Sequence, residues 1–399
     1  MDAGARLPRT GGGDTDGGRR WVALMGVLAA IVVVAQVVQA PRTFDPARVI
    51  FSADGAQGAF RLNAVAMVIA TLAVLLAPAR WRPAVAAASV LPLAGLVALC
   101  TVGVPVRGWA VVVGILTMTA CWEIGERALR ALGATALSAL APVAWLAGAG
   151  IATAVLTLFG RIGLLYWWLF GVPVLALGAL GAYRLARLAW PARQRVVEAV
   201  SGSRLGTACF VLMALDLAWL ATYTFAPDLG YDSLEAKAWL PQHWAAIHQL
   251  DPVHLHPKFA IAGAPQVLAI PGHLVGAHDV GKWMQYVSGL ALAASVWAFG
   301  RRFGALGPLA AFAVVATPTF SFQTGTAFDD LVLTLAMLAL TLAVFTALED
   351  RAPATRRPVA VGAALGLLGG SVAVFKLHLL YLDAGLLLGW IAMGGPRPG

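Results

Sequence analysis

The chain has 399 residues, 60% of them hydrophobic and only 12% charged. A soluble domain carries about 25% charged residues, so this composition, with a mean hydropathy of +0.80, excludes a water-soluble globular protein and points to a polytopic integral membrane protein. In such a chain the net charge of +9 reflects basic loops facing anionic headgroups. No basic run is interleaved with aromatics as an RNA surface requires, which argues against nucleic acid as a partner.

A membrane span must satisfy its backbone polar groups internally, and the apolar runs here lack the period-two alternation of barrel strands. The expected fold class is therefore all-α, a polytopic membrane protein with about 12 transmembrane helices. Residues 1–20 are rich in Gly and Arg and read as a disordered cytoplasmic tail. Residues 21–40 follow Arg19 and Arg20 as a signal peptide would, but without a convincing small-residue cleavage site, and read as an uncleaved first helix. Further spans are expected near 62–78, 83–103, 108–123, 138–159, 162–183 and 205–225, then 283–300, 305–323, 331–348, 358–375 and 379–394. Segment 259–280 is ambiguous: it is apolar, but Pro265 and Pro271 break it and it carries His273, His278 and Asp279. The cysteines Cys100, Cys121 and Cys209 lie inside apolar segments, with no disulfide or zinc spacing.

Arginine counts set the orientation. With the N-terminus in the cytoplasm, the inner loops carry Arg80 and Arg82, Arg127 and Arg130, and the cluster Arg184, Arg187, Arg193, Arg195 and Arg204. Outer loops carry Arg107 and Arg161 singly; the first outer loop, with Arg42, Arg48 and Arg61, is the exception. Loop 226–258 then lies outside. If 259–280 does not span, Asp329, Asp330 and Lys376 reach the same outer face, and Arg301 and Arg302 fall inside. The expected localisation is the plasma (inner) membrane, with this loop external or periplasmic.

That loop is the main polar interruption of the chain. Asp232, in GYDSLEAKAWLPQHW, follows a span, and a carboxylate near an apolar wall tends to hold its proton, which suits a general base for an incoming hydroxyl. An ordinary solvated acid is the plainer alternative. Glu235 shares a helical face with Asp232, as a second ligand or base or as a solvated helix acid. Asp329 and Asp330 open an apolar run, where adjacent acids are costly unless wet or paired; they suit a helix N-terminus, or one of them serves as a second acid holding an acceptor or a metal. Lys376, between apolar runs, must snorkel or find an anion such as a phosphate. Six histidines fall between 243 and 278: His243, His248, His254, His256, His273 and His278. His254 and His256 could chelate a metal on an extended strand, although no full ligand set is present. Trp239 and Trp244 suit an interfacial belt or a sugar-stacking surface.

Four stretches in this order resemble the GT-C superfamily of polyprenyl-phosphate-sugar-dependent glycosyltransferases, in particular its protein O-mannosyltransferase and aminoarabinose-transferase-like branch. They are YDSLEAKAWLP; GAPQVLAIPGHLVGAHDVGKWMQYVSGLALAASVWAFGRRFG; ATPTFSFQTGTAFDDLVLTLAML; and GAALGLLGGSVAVFKLHLL. The resemblance covers about 205–399 and implies a GT-C-like core there, carrying the external loop 226–258 and incomplete at its C-terminal end, behind an added membrane module at 21–204. By position it implies Asp232 as catalytic base, Asp329 or Asp330 as second acid, and Lys376 on the donor phosphate, with Lys258 and His378 as further phosphate contacts. Many members carry an aromatic–His pair where this chain has Ala236 and Lys237, and most place the acid after the first helix.

The expected activity is inverting transfer of a sugar from a polyprenyl-phosphate donor to an acceptor hydroxyl at the outer face, with a divalent cation (Mg or Mn) as a possible cofactor. The expected partners are the lipid-linked sugar, the bilayer and a glycan, lipid or protein acceptor. A transporter or flippase, or a non-catalytic membrane subunit, are the rival classes.

Overall fold

The computed structural model describes residues 67–68, 70–72, 74–76, 78–103, 105–225, 237–251, 263–301, 306–324, 326–327, 329–349 and 357–375. Among these no strand occurs, as expected of apolar runs that must close their hydrogen bonds locally. The helices are α1 (Arg82–Gly103), α2 (Pro105–Ala131), α3 (Ala141–Arg161), α4 (Val172–Ser201), α5 (Arg204–Phe225), α6 (Trp239–Ile247), α7 (Ala264–Leu274), α8 (Val280–Gly300), α9 (Leu306–Val315), α10 (Pro318–Thr324), α11 (Asp330–Glu349) and α12 (Arg357–Phe375). Proline sets many of the starts: Pro105, Pro142, Pro173, Pro265, Pro318 and Pro358 each occupy the first or second position, where a missing N–H costs nothing.

Five helical stretches are long and apolar enough to cross a membrane: Gly108–Ala131, Ala141–Arg161, Trp167–Pro191, Arg204–Ala221 and Asp330–Ala347. The chain is thus an all-α protein with the helices of an integral membrane protein. Several expected boundaries move. The 108–123 span continues as α2 to Ala131, and the 162–183 segment becomes a π-helical turn, Trp167–Gly171, running into the 30-residue α4. The expected span 305–323 is two helices, α9 and α10. Pro318 cannot extend the hydrogen-bond ladder, and Thr317 starts a new helix instead, its hydroxyl accepting from the Phe320 N–H at 3.2 Å, the geometry of an N-cap.

Helix α2 is the centre of the bundle, packed on α3 and α4. The contact with α3 is backbone on backbone: a Cβ on Gly125 would fall 1.8 Å from the Ala144 carbonyl oxygen, and one on Gly148 would fall 1.7 Å from that of Cys121. Small residues permit such approach, and in lipid this packing replaces the hydrophobic drive. At the C-terminal end of α2, Glu123 and Glu126 are buried and both meet Arg184 of α4, at 2.6 and 3.2 Å. Arg127 and Arg130, one turn on from each acid, complete the cluster at 2.6 and 2.5 Å. Buried carboxylates at this depth are tolerable because each is paired twice.

The opposite end of the bundle is capped by short elements. Leu250 N donates to Gly160 O at 2.9 Å and Leu165 N to His248 O at 3.0 Å, tying the chain around α6 to the end of α3. Trp109 Nε1 donates to Val275 O at 2.8 Å, tying the end of α7 to α2. Helix α7 has 11 residues, about 16 Å of rise against a hydrocarbon core of about 30 Å, so it caps the bundle and does not cross it. Consistently, α5 ends and α8 begins at the same level, where Lys282 Nζ reaches the Tyr223 carbonyl at 3.2 Å.

Candidate functional site

The capped end holds a small recess lined by Lys237 and Gln266 among mostly apolar neighbours, which include Pro265, Ala269, Met284 and Val332. Each wall follows from local structure. Asp329 stands just before α11, its backbone carbonyl accepting from Leu333 N at 2.9 Å, so the next residue, Asp330, opens the helix where its dipole favours negative charge. This separates two acids that the sequence leaves equivalent. Asp330 is half-buried in the first turn, whereas the Asp329 side chain is 2% exposed and accepts a charge-assisted hydrogen bond from Lys237 Nζ at 2.7 Å. Lys237 itself is 15% exposed and precedes α6, so the pair joins elements 92 positions apart in sequence.

A second buried lysine lies close by in the fold. Lys282, in the first turn of α8, is 2% exposed. One turn on, Gln285 is fully buried; its Oε1 accepts from Val332 N at 3.1 Å and its Nε2 donates to Gln323 Oε1 at 3.4 Å. Thr224 Oγ1 donates to Thr324 O at 3.0 Å. These contacts knit the ends of α5, α8, α10 and α11 into one polar seam beneath the recess. On its far side Gln266 of α7 accepts from Gly263 N at 2.8 Å. A Cβ on Gly263 would fall 2.1 Å from the carbonyl oxygen of Phe375, so the end of α12 closes against this loop, with Phe375 buried edge-on to Trp145 at 5.8 Å.

Of the residues expected at the site, Asp329 lines up with the recess through Lys237, and Asp330 sits beside it at the helix start. Asp232, Glu235, His254, His256, Lys258, Lys376 and His378 lie outside the described residues. Lys237 and Lys282 are the residues that sequence reasoning missed. Lys237 stood out only as a departure from a family pattern, and Lys282 fell just outside an expected span; no local spacing links either to its partner.

The remaining histidines are mostly engaged in packing. His243 stacks on Trp239 at 4.7 Å, and His248 stacks on Tyr166 at 4.5 Å while its Nδ1 sits 2.7 Å from Leu165 O. His273 is buried on α7 beside His278, and burial, aided by that neighbour's charge, pushes its pKa down to about 4. Trp244, expected at an interface or a sugar surface, is buried, and its Nε1 donates to Asp251 O at 3.0 Å; it is a core residue. Trp239 remains 40% exposed.

Among the described residues no three His, Cys, Asp or Glu side chains are placed to hold a metal ion. Asp329, the best-placed acid, already has an ammonium on Oδ2, so the described residues do not fit a divalent cation. What they present is the Lys237 ammonium, its charge matched by Asp329, in a small recess at one end of an apolar bundle. No known family model, characterised protein or solved structure matches the chain.

Proposed function

We propose that the chain is a membrane glycosyltransferase that moves a sugar from a polyprenyl-phosphate donor to an acceptor hydroxyl at the capped end of the bundle. The observation that carries the reading is the recess with its Lys237–Asp329 pair, at the end of the bundle where the described helices give way to the segments bearing the expected reactive residues. Asp232 precedes Lys237 by five positions. Lys258 precedes Gly263 by five positions, and Lys376 is bonded directly to Phe375, which packs on Gly263.

In this reading Asp232 takes the proton of the acceptor hydroxyl as that oxygen attacks the anomeric carbon. The bond from that carbon to the phosphate oxygen breaks on the opposite face, inverting the centre and releasing polyprenyl phosphate. Lys237 keeps ammonium N–H groups beyond the one given to Asp329 and offers them to the phosphate, where charge grows in the transition state. Asp329 is then a positioning residue that holds the lysine aimed. Lys376, with Lys258 and His378, adds to the same anion site, and the apolar bundle accommodates the polyprenyl chain.

The test is sugar transfer by the purified full chain from a polyprenyl-phosphate sugar, with wild type against Asp232→Asn. Loss of a general base should cost about 100- to 10,000-fold in rate; full activity in the variant rules out the assignment. One observation favours a second reading, translocation of a lipid-linked or anionic substrate: Asp216 lies well inside the span formed by α5, half-buried, and ionisable groups at that depth are typical of transport paths. Substrate movement across proteoliposomes without any sugar transfer would select it.

A further inference from the structure

At the other end of the bundle, the last turns of α4 carry a surface that the proposed reaction does not use. The membrane-crossing part of this helical stretch ends at Pro191. Around that point Tyr183, Leu188 and Trp190 are 59%, 63% and 68% exposed, which is where amphipathic aromatics settle at a membrane interface. Two arginines are built onto these rings. The Arg193 guanidinium lies 4.1 Å from the Trp190 ring centre, with its Nη1 donating to Trp190 O at 2.7 Å, and the Arg187 guanidinium lies 5.8 Å from the Tyr183 ring.

Among the described residues, the buried acids Glu123 and Glu126 take Arg127, Arg130 and Arg184, and no carboxylate pairs with Arg187 or Arg193. Helix α1, which packs on α4, is preceded by a short turn with exposed Arg80 and Trp81, and the buried Nε of Arg82 has no hydrogen-bond partner among the described residues. Val85, near the start of α1, packs with Ala208 and Val211 near the start of α5, which follows directly on α4, so the start of α1 and the end of α4 belong to the same face.

We infer that this face is a binding site for the headgroup phosphate of an anionic phospholipid. The guanidinium forks match phosphate oxygens, stacking on Trp190 and Tyr183 holds them without an acidic partner, and the exposed Leu188 and aromatic rings meet the acyl chains of the same molecule. A soluble anion would satisfy the arginines but leave the apolar half of the surface unmatched.

The test is native mass spectrometry of the full chain titrated with phosphatidylglycerol or phosphatidylcholine of equal acyl length. The wild type should prefer the anionic lipid, and Arg187→Gln/Arg193→Gln should weaken that preference by roughly fivefold for each arginine, about 25-fold together. Arg187→Lys/Arg193→Lys, which keeps the charge but not the fork or the ring stacking, should lose less than the glutamine pair, and this ranking distinguishes a charge effect from a folding effect. Arg161→Gln, at the opposite end of the bundle, should change nothing. The inference is overturned if the glutamine pair keeps the wild-type preference, if Arg161→Gln loses as much, or if inorganic phosphate displaces phosphatidylglycerol at equal concentration.

Discussion

Replacing Lys237 by Met is the sharpest structural perturbation available at the recess. It removes the ammonium 2.7 Å from Asp329 Oδ2 while keeping most of the side-chain volume. Asp329 is 2% exposed, so water cannot take over the lost contact. Breaking a buried ion pair from one side typically costs 3–5 kcal/mol. Asp329 makes a further contact besides this pair, and Lys237 is partly exposed, so the expected loss is at the lower end, about 3 kcal/mol. Asp329→Asn should cost less, about 1 kcal/mol, because the lysine left behind is 15% exposed and can turn to water. The double variant should be less damaged than the sum, with a coupling of about 2 kcal/mol. Reversible unfolding in mixed micelles by a denaturing surfactant, run on all four proteins, gives these values. A Lys237→Met protein within about 0.5 kcal/mol of wild type, or a cycle with no coupling, would refute the claim that this pair organises the recess.

Arg184→Met should be as harmful as any single change at the other end, about 3–5 kcal/mol, since it strips one cation from both Glu123 and Glu126; the same unfolding assay checks it, and a near-neutral result would show the cluster to be water-supported. Gly148→Ala should destabilise by about 1–3 kcal/mol or more, because the new methyl meets the Cys121 carbonyl oxygen at 1.7 Å; an unchanged midpoint would mean that α2 and α3 can part freely. His273 has its pKa lowered to about 4 in the folded chain against about 6.5 unfolded. The unfolded state therefore binds more protons between those values, so stability is complete above pH 6.5 and falls as pH drops toward 4, by up to about 3 kcal/mol. His273→Leu should flatten that part of the pH–stability curve, and an unaltered slope would show that another group is responsible.

Helix content was legible because each apolar run carries its own hydrogen-bonding solution, and the prolines that begin the helices are visible in sequence. Boundaries were less so. Arg127 and Arg130 suggested that a span had ended by residue 123, but Glu123 and Glu126 sit one turn before them, so the helix continues with its charges paired internally. That spacing was there to be seen in WEIGERALR. The split at Thr317 and Pro318 was also readable, yet the hydropathy of the flanking residues hid it. Trp244 looked interfacial because its loop is polar; its burial depends on α3 and α7 folding over it, and no local pattern records that.

At the recess, the sequence singled out Asp329 and Asp330 together, since adjacent acids at a helix start look alike. Only the distant Lys237 distinguishes them, and a pairing across 92 positions leaves no trace in spacing. Lys282 was masked by the apolar residues around it, because hydropathy averaging absorbs a single charge at the first turn of a span.

The account stands or falls on whether the reactive side chains share one end of the bundle. Nitroxide labels at Asp232→Cys and Lys376→Cys, in a full chain with Cys100, Cys121 and Cys209 replaced, measure this directly by electron–electron resonance. With both side chains at one end of the bundle, the labels should lie closer together than the roughly 30 Å thickness of the hydrocarbon core. A separation of about 30 Å or more, the thickness of the hydrocarbon core, would contradict it.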